Sequence, residues 1–415
     1  MISPQTLSLV HKGWRVALAG FGINLALGVL YSWSIISKNI PSDWHWSEAD
    51  RSLPYSAACL VFSLMMVPAG RLQDKIGPRV VAMIGGILVG AGLIVASRST
   101  TPLGYIIGFG ILAGTGFGFA YASTTPPAVK WFPSSQTGMI AGLVVAGFGL
   151  SSVYVAPLAE NLIHLHGLPF TMIAFGIGFM TVIVTLSQLL KIPPAGYHSS
   201  STGAATQSIP VSNDKTPLQV LQSGQFYLLW FLFACCAGAG LMIISKLAKM
   251  VDLQTGMKLG FLLVACLAVG NGGGRILAGW LSDQIGRART LFICAVTQAL
   301  CILLLSQVHQ GSSLAATPVL ILLSALIGAN YGANLALFPA IAKDLYGLKN
   351  FGMNYGLLFT AWGIGGFGLS LLAGHVYDTT KSFSFAYNTA SILLLIAAGM
   401  SFFIKKPVKS LSSLL

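Results

Sequence analysis

Charge is what this chain has least of. Asp, Glu, Lys and Arg together make up 8% of the 415 residues, and only ten residues are acidic. A soluble domain carries about 25% charge, so a surface lying mostly in water is excluded. Polar stretches are equally scarce, and the only long one runs from 192 to 222. Metal-type spacing is missing as well. Cys59, Cys235, Cys236, Cys266, Cys294 and Cys301 sit inside apolar runs and read as small buried hydrophobes. His164 and His166, two residues apart, do not share a helix face, so no metal is expected. There is no phosphate loop and no nucleophile–base constellation, so neither an enzyme nor a cofactor is expected. The formal charge of +13 invites a nucleic-acid partner. The cations, however, are scattered at the ends of apolar runs instead of clustered on one face, and that partner is rejected.

What is there is apolar. Hydrophobic residues make up 55% of the chain, and mean hydropathy is +0.78. Apolar runs fall near 14–37, 53–73, 79–97, 103–130, 137–163, 168–190, 225–248, 257–281, 288–308, 315–342, 352–377 and 384–404. A bilayer span needs about 20 such residues, so twelve spans are predicted, six per half. The first run, beginning near Gly13, is too long for a cleavable signal. The fold class expected is an all-α membrane protein with two pseudo-symmetric six-helix bundles, residues 1–191 and 223–415. Residues 192–222, rich in Pro, Ser, Thr and Gly, read as a flexible linker between them. The 48 glycines suit closely packed helices.

An even number of spans puts both termini on one side. Fifteen Lys and Arg residues flank span ends on that side, Arg71, Lys75, Arg79, Lys130, Arg287, Lys343 and Lys349 among them. Seven flank the other: Lys38, Arg51, Arg98, Lys246, Lys249, Lys258 and Lys381. Basic residues concentrate on the cytoplasmic side, so both termini are expected in the cytoplasm.

One loop occurs twice. Residues 70–79 read GRLQDKIGPR and residues 279–289 read GWLSDQIGRAR, and Gly70, Asp74 and Gly77 recur as Gly279, Asp283 and Gly286 at one offset of 209 residues. A polar loop repeated in each half of a membrane chain marks paired bundles of the kind secondary transporters use. Asp74 and Asp283 can cap helix starts. Arg79, Lys75 and Arg287 can bind groups of the opposite half when an inner gate is shut. The loop resembles the signature loop of the major facilitator superfamily, which implies an inward-closing latch. Pro78 and Gln284 stand where that family often has basic residues. Finer stretches resemble the monocarboxylate and oxalate/formate transporters of that superfamily: GWRVALAGFGINLALGVLY followed by SWS at 13–34, YASTTPPAVKWFP at 121–133, NGGGR at 271–275, ALFPAIAKDLYG at 336–347 and NYG at 354–356. The resemblance implies a bacterial inner-membrane carrier of organic anions.

Arg275 is the leading site candidate. It lies in the apolar run GFLLVACLAVGNGGGRILAGWL, eight residues before Asp283, hence ~12 Å along a helix from the cytoplasmic end. A charge at that depth costs on the order of 3 kcal/mol. The same repeat offset puts Met66 at the matching place, so symmetry does not demand a cation here. A guanidinium fork fits a carboxylate bidentately, and Asn271, one turn earlier, can donate to the same anion. The alternative is a structural Arg bonded to helix carbonyls. The resemblance implies an Arg at this motif for the substrate carboxylate. It also implies departures: Asn271 replaces an Asp common in animal-type carriers, and Trp362 stands where the oxalate branch carries a second cation. One central cation favours a monoanion such as lactate or pyruvate. Tyr31, Tyr121 and Tyr331 are mid-span phenols needing partners, and Trp362 is a candidate apolar wall. The expected partners are a small carboxylate, protons or a counter-anion, and the lipid bilayer, with the protein acting as a monomer. Proton-linked symport is the favoured mode. Carboxylate exchange, or carriage of a siderophore-like polycarboxylate or of amino acids, are the alternatives.

Overall fold

The computed structural model describes residues 4–194, 197, 214–257 and 259–404, and among them every regular element is helical. The long apolar helices are α1 (His11–Lys38), α2 (Asp50–Ile76), α3 (Pro78–Ser97) and α4 (Pro102–Val129), then a 51-residue run, Thr137–Ser187. After it come α7 (Gly224–Leu247), α8 (Leu262–Ile285), α9 (Arg287–Ser306), α10 (Thr317–Tyr346), α11 (Phe351–Tyr377) and α12 (Ser384–Phe403). The 51-residue run is two helices. Gly167, with φ 81° and ψ 168°, breaks it, a conformation that suits only glycine, and Pro169 follows. Thus α5 covers 137–166 and α6 covers 168–187, and the chain makes twelve passes. Of the stretch 192–222 read as a linker, residues 195–196 and 198–213 lie outside the described residues; its far end forms a short helix, Pro217–Leu221, begun by a Thr216–Gln219 capping box.

Local chemistry sets the helix ends. Ser47 and Asp50 form a capping box that starts α2, satisfying two of the first-turn N–H groups. Gly77 and Gly286, at φ 90° and 96°, turn the chain between α2 and α3 and between α8 and α9. Many large apolar side chains stay exposed, Leu277, Ile293, Leu322 and Phe403 among them, as a surface facing lipid requires.

The two bundles, α1–α6 and α7–α12, meet along two seams, α5 on α8 and α2 on α11. Small residues bring the backbones close. On the first seam an added Cβ at Gly138, Gly142 or Gly149 would run into Gly279, Arg275 or Gly272. On the second, a Cβ at Gly352, Gly356 or Gly363 would run into Gly70, Met66 or Ser63. The α8 positions are the α2 positions shifted by 209, and the α11 positions are the α5 positions shifted by 214. The repeated loop is therefore the visible end of a twofold relation that runs through both seams.

Candidate functional site

Arg275 is 0% exposed. Its Nε donates to Oδ1 of Asn271 at 3.0 Å, and its Nη1 donates to the carbonyl of Val145 on α5 at 2.5 Å. Nη2 makes no hydrogen bond of normal geometry, although the Tyr31 hydroxyl lies within reach of the guanidinium. No carboxylate among the described residues pairs with it; the ion pairs found all lie at the loop end. The cation is thus balanced by dipoles alone, an arrangement that leaves a large solvation deficit. Asn271 accepts from the guanidinium and so orients it. Glycines on the facing α5 make room: Gly142 packs on the Arg275 backbone and Gly149 on its Nε.

A layer of hydroxyls and rings surrounds the cation. The hydroxyls of Tyr31 on α1 and Tyr331 on α10 are 2.7 Å apart, and the Trp362 indole N–H donates to the Tyr331 oxygen at 2.9 Å. That chain joins the two halves. The Arg275 charge reaches the phenols of Tyr31, Tyr121, Tyr331 and Tyr355. Tyr121 and Tyr355 are neighbours, and neither hydroxyl makes a hydrogen bond of normal geometry. Phe62, Phe148 and Phe359 fill the space between them, with Phe148 5.7 Å from Tyr121 and Phe359 5.2 Å from Trp362, centroid to centroid. All six predicted site residues, Arg275, Asn271, Tyr31, Tyr121, Tyr331 and Trp362, gather in this layer. Tyr355 lies in the NYG stretch that carries part of the resemblance, yet sequence reasoning did not single it out as a site residue, since the motif does not show which way the phenol turns.

A cavity of about 710 Å³ opens at the end opposite the repeated loops, lined by α1, α2, α7, α8 and α11. In this state only Tyr31 of the six predicted residues lines it. Arg275 does not line it; the guanidinium is held to the Val145 carbonyl of the other half instead. Three cations expected at span ends, Lys38, Arg51 and Lys246, line the cavity, and no Asp or Glu among the described residues does. Their convergence was not readable, since they come from three different helices.

The opposite end is latched shut, twice. Neither α5 nor α11 has a side-chain cap of its own. Asp283 supplies the missing cap to α5, accepting from the N–H groups of Gly138 and Met139 at 3.0 and 2.9 Å. Asp74 does the same for α11, accepting from Gly352 and Met353 at 3.1 and 3.0 Å. Each carboxylate thus caps a helix of the opposite half, where free N–H groups and the helix dipole favour it. Gly70 and Gly279 allow the approach. Arg287 ties Asp283 to Asp344, pairing with the latter at 2.9 Å, and Lys343 donates to Thr137 of the other half at 3.0 Å. Arg79 does not play the matching part: it is exposed and forms no ion pair among the described residues. Pro78, not Arg79, matches Arg287 in the repeat, and one residue further turns the side chain ~100° around the helix.

Comparison with known proteins places this geometry. The Major Facilitator Superfamily model matches residues 16–274 and 248–414. Among curated proteins, the chain is 26% identical over 356 residues to an uncharacterised MFS-type transporter of Escherichia coli (strain K12), YhjX, covering 85% of each chain. It is 25% identical over 414 residues to the oxalate:formate antiporter of Oxalobacter formigenes, covering 97% of this chain and 93% of that one. It is 26% identical over 399 residues to monocarboxylate transporter 11 of Mus musculus, covering 92% and 85%. Among solved structures, the transporter FucP aligns over 94% of this chain and 100% of its own, with TM-score 0.67 and 16% identity. The human organic anion transporter MFSD10 aligns over 96% and 100%, with TM-score 0.68 and 15% identity. Twelve passes in two related bundles, latched by a repeated loop and matched by the family along both halves, lead to one conclusion: the chain belongs to the Major Facilitator Superfamily, a family of membrane transporters and not of enzymes.

Proposed function

We propose that this protein carries short monocarboxylates, of the lactate or pyruvate type, across the cell's inner (plasma) membrane by alternating access. The observation that carries the reading is the Arg275 guanidinium: fully buried, without a counter-charge, with Nη2 in no hydrogen bond of normal geometry and Nη1 held only by a backbone carbonyl. A carboxylate offers two oxygens in the plane of that fork and replaces a weak neutral acceptor with a charge. The names of two relatives, an oxalate:formate antiporter and a monocarboxylate transporter, support a carboxylate cargo. Trp362, in place of a second cation, favours one carboxylate over two.

The mechanism follows from which bonds the anion displaces. The excess of basic residues on that side supports a cytoplasmic latched end and termini, with the open cavity facing outward. Lys38, Arg51 and Lys246 line its walls. To reach Arg275 an anion must part Tyr31 from Tyr331 and displace the Val145 carbonyl. Both bonds join the two halves. The substrate thus exchanges inter-half bonds for its own, and the neutralised Arg275 lowers the cost of enclosing the site. The halves, residues 1–191 and 223–415 joined by the linker 192–222, then rock about it. The site is complete within one chain, in keeping with a monomer.

Proton-linked symport is the proposed coupling. Exchange of one carboxylate for another is the second reading, favoured by one observation: among the described residues, no carboxylate lines the cavity to carry a proton. The test is uptake of labelled lactate and pyruvate into proteoliposomes, driven by an inward proton gradient or by internal unlabelled acid. Uptake on the gradient alone establishes symport, and uptake only against internal acid establishes exchange. No uptake in either arm refutes short monocarboxylates as the cargo.

A further inference from the structure

The two latches are related by the repeat, yet their third members differ. In the C-terminal half, Lys343 of α10 is followed by Asp344, which pairs with Arg287. The matching lysine in the N-terminal half is Lys130, at the end of α4 in the same Pro-x3-Lys setting, and it is followed by Trp131. Trp131 is turned to another task, donating its indole N–H to the carbonyl of Lys191. The N-terminal latch therefore lacks a carboxylate of its own beside Lys130.

The described end of the linker supplies one. Asp214 Oδ1 accepts from the N–H groups of Leu348 and Lys349 at 2.9 and 3.0 Å, in the loop between α10 and α11. Around it, Lys215 N–H donates to the Tyr346 carbonyl at 3.0 Å, and the side-chain amides of Asn350 and Asn354 both donate to the Lys215 carbonyl, at 3.2 and 3.1 Å. Gly347, at φ 77°, leaves the space that Asp214 occupies. The loop so held leads straight into the α11 N-terminus that Asp74 caps, and its Asn350 meets Arg71 of the other half at 3.4 Å. Lys130, of the N-terminal half, forms no ion pair among the described residues but lies within electrostatic range of both carboxylates: burial pulls its ammonium below its ordinary value, and Asp74 and Asp214 oppose the pull.

We propose that Asp214 makes the described end of the linker a working part of the inner gate: it fixes the loop that presents α11 to Asp74, and sets a carboxylate within electrostatic range of Lys130 in the other half. Asp214 is thus a positioning residue for the closed gate. The inference rests on alternating access and on the latched end being the closed one, and it is independent of the cargo. The test uses no substrate. In a background with the six native cysteines replaced, spin labels at Ile76→Cys and Arg289→Cys, both exposed at the loop end of opposite halves, report the gate by their distance in lipid nanodiscs. Asp214→Ala and Lys130→Gln should each raise the ratio of long to short distances roughly fivefold, the equivalent of about 1 kcal/mol for a partly buried pair. The double variant should add little further, and Asp214→Glu should restore part of the short population. If Asp214 merely braces its own half, Lys130→Gln leaves the ratio at its parent value, or the double variant is additive; either result overturns the proposal, as does an unchanged distribution in Asp214→Ala.

Discussion

At the scale of single residues, the proposed function turns on how one buried cation is satisfied. Arg275 was legible in the sequence because a charge inside an apolar run is costly and therefore conspicuous. Its chief partner was not legible. Val145 contributes a backbone carbonyl from 130 positions away, and any residue there would carry the same group. The hydroxyl chain was half legible: mid-span tyrosines announce a need for partners, but not which partners they find. Two predictions belong here. Arg275→Lys keeps the charge and loses the fork, so KM for carboxylate should rise tenfold or more while the protein remains folded, as size-exclusion profiles of the purified variant will report. Tyr31→Phe removes the hydrogen bond to Tyr331 and leaves that hydroxyl bonded to Trp362 alone. A bond of about 1 kcal/mol then no longer resists opening of the layer, and substrate affinity should change by roughly fivefold in equilibrium binding measurements.

At the scale of elements, the seams decide what can move. The twelve helices were legible from hydropathy, including the fifth and sixth as separate spans, because the break at Gly167 and Pro169 interrupts an otherwise continuous helix. The seams themselves were not: 48 glycines announce close packing without saying which helices meet. In the structure, Gly142 packs on the backbone of Arg275, whereas Gly273 on the same α8 faces open space. Gly142→Ala should therefore wedge α5 from α8 and cut transport at least tenfold, while Gly273→Ala should leave transport within twofold. Equal effects from the two substitutions would mean that the seam does not govern activity. The short helix Pro217–Leu221 carries a local start signal in its Thr216–Gln219 capping box; what has no local signature is the placing of Asp214 before it, which comes from backbone N–H groups in a distant loop.

At the scale of the whole molecule, one conformation is described and its asymmetry is informative. Both latches are closed while the opposite end is open, so the two halves are parted at one end and joined at the other, as alternating access requires. The repeat revealed that two latches exist. It did not reveal that each aspartate caps a helix of the other half, nor that the basic residues do unequal work. Asp283 holds α5 and Arg287 together, whereas Asp74 holds α11 with no arginine pair of its own. Asp283→Asn should therefore open the gate more than Asp74→Asn does, by roughly tenfold in the population ratio if one partly buried pair contributes about 1–2 kcal/mol, measured with the same loop-end spin labels.

The central claim is that the anion binds at Arg275. Its most direct test is labelled carboxylate uptake by proteoliposomes carrying wild-type protein or Arg275→Ala at equal reconstituted amounts. The account predicts that wild-type protein transports and that Arg275→Ala loses transport at least a hundredfold while remaining folded and correctly inserted. Wild-type rates in Arg275→Ala would contradict it, and would return that arginine to a purely structural part in the α5–α8 seam.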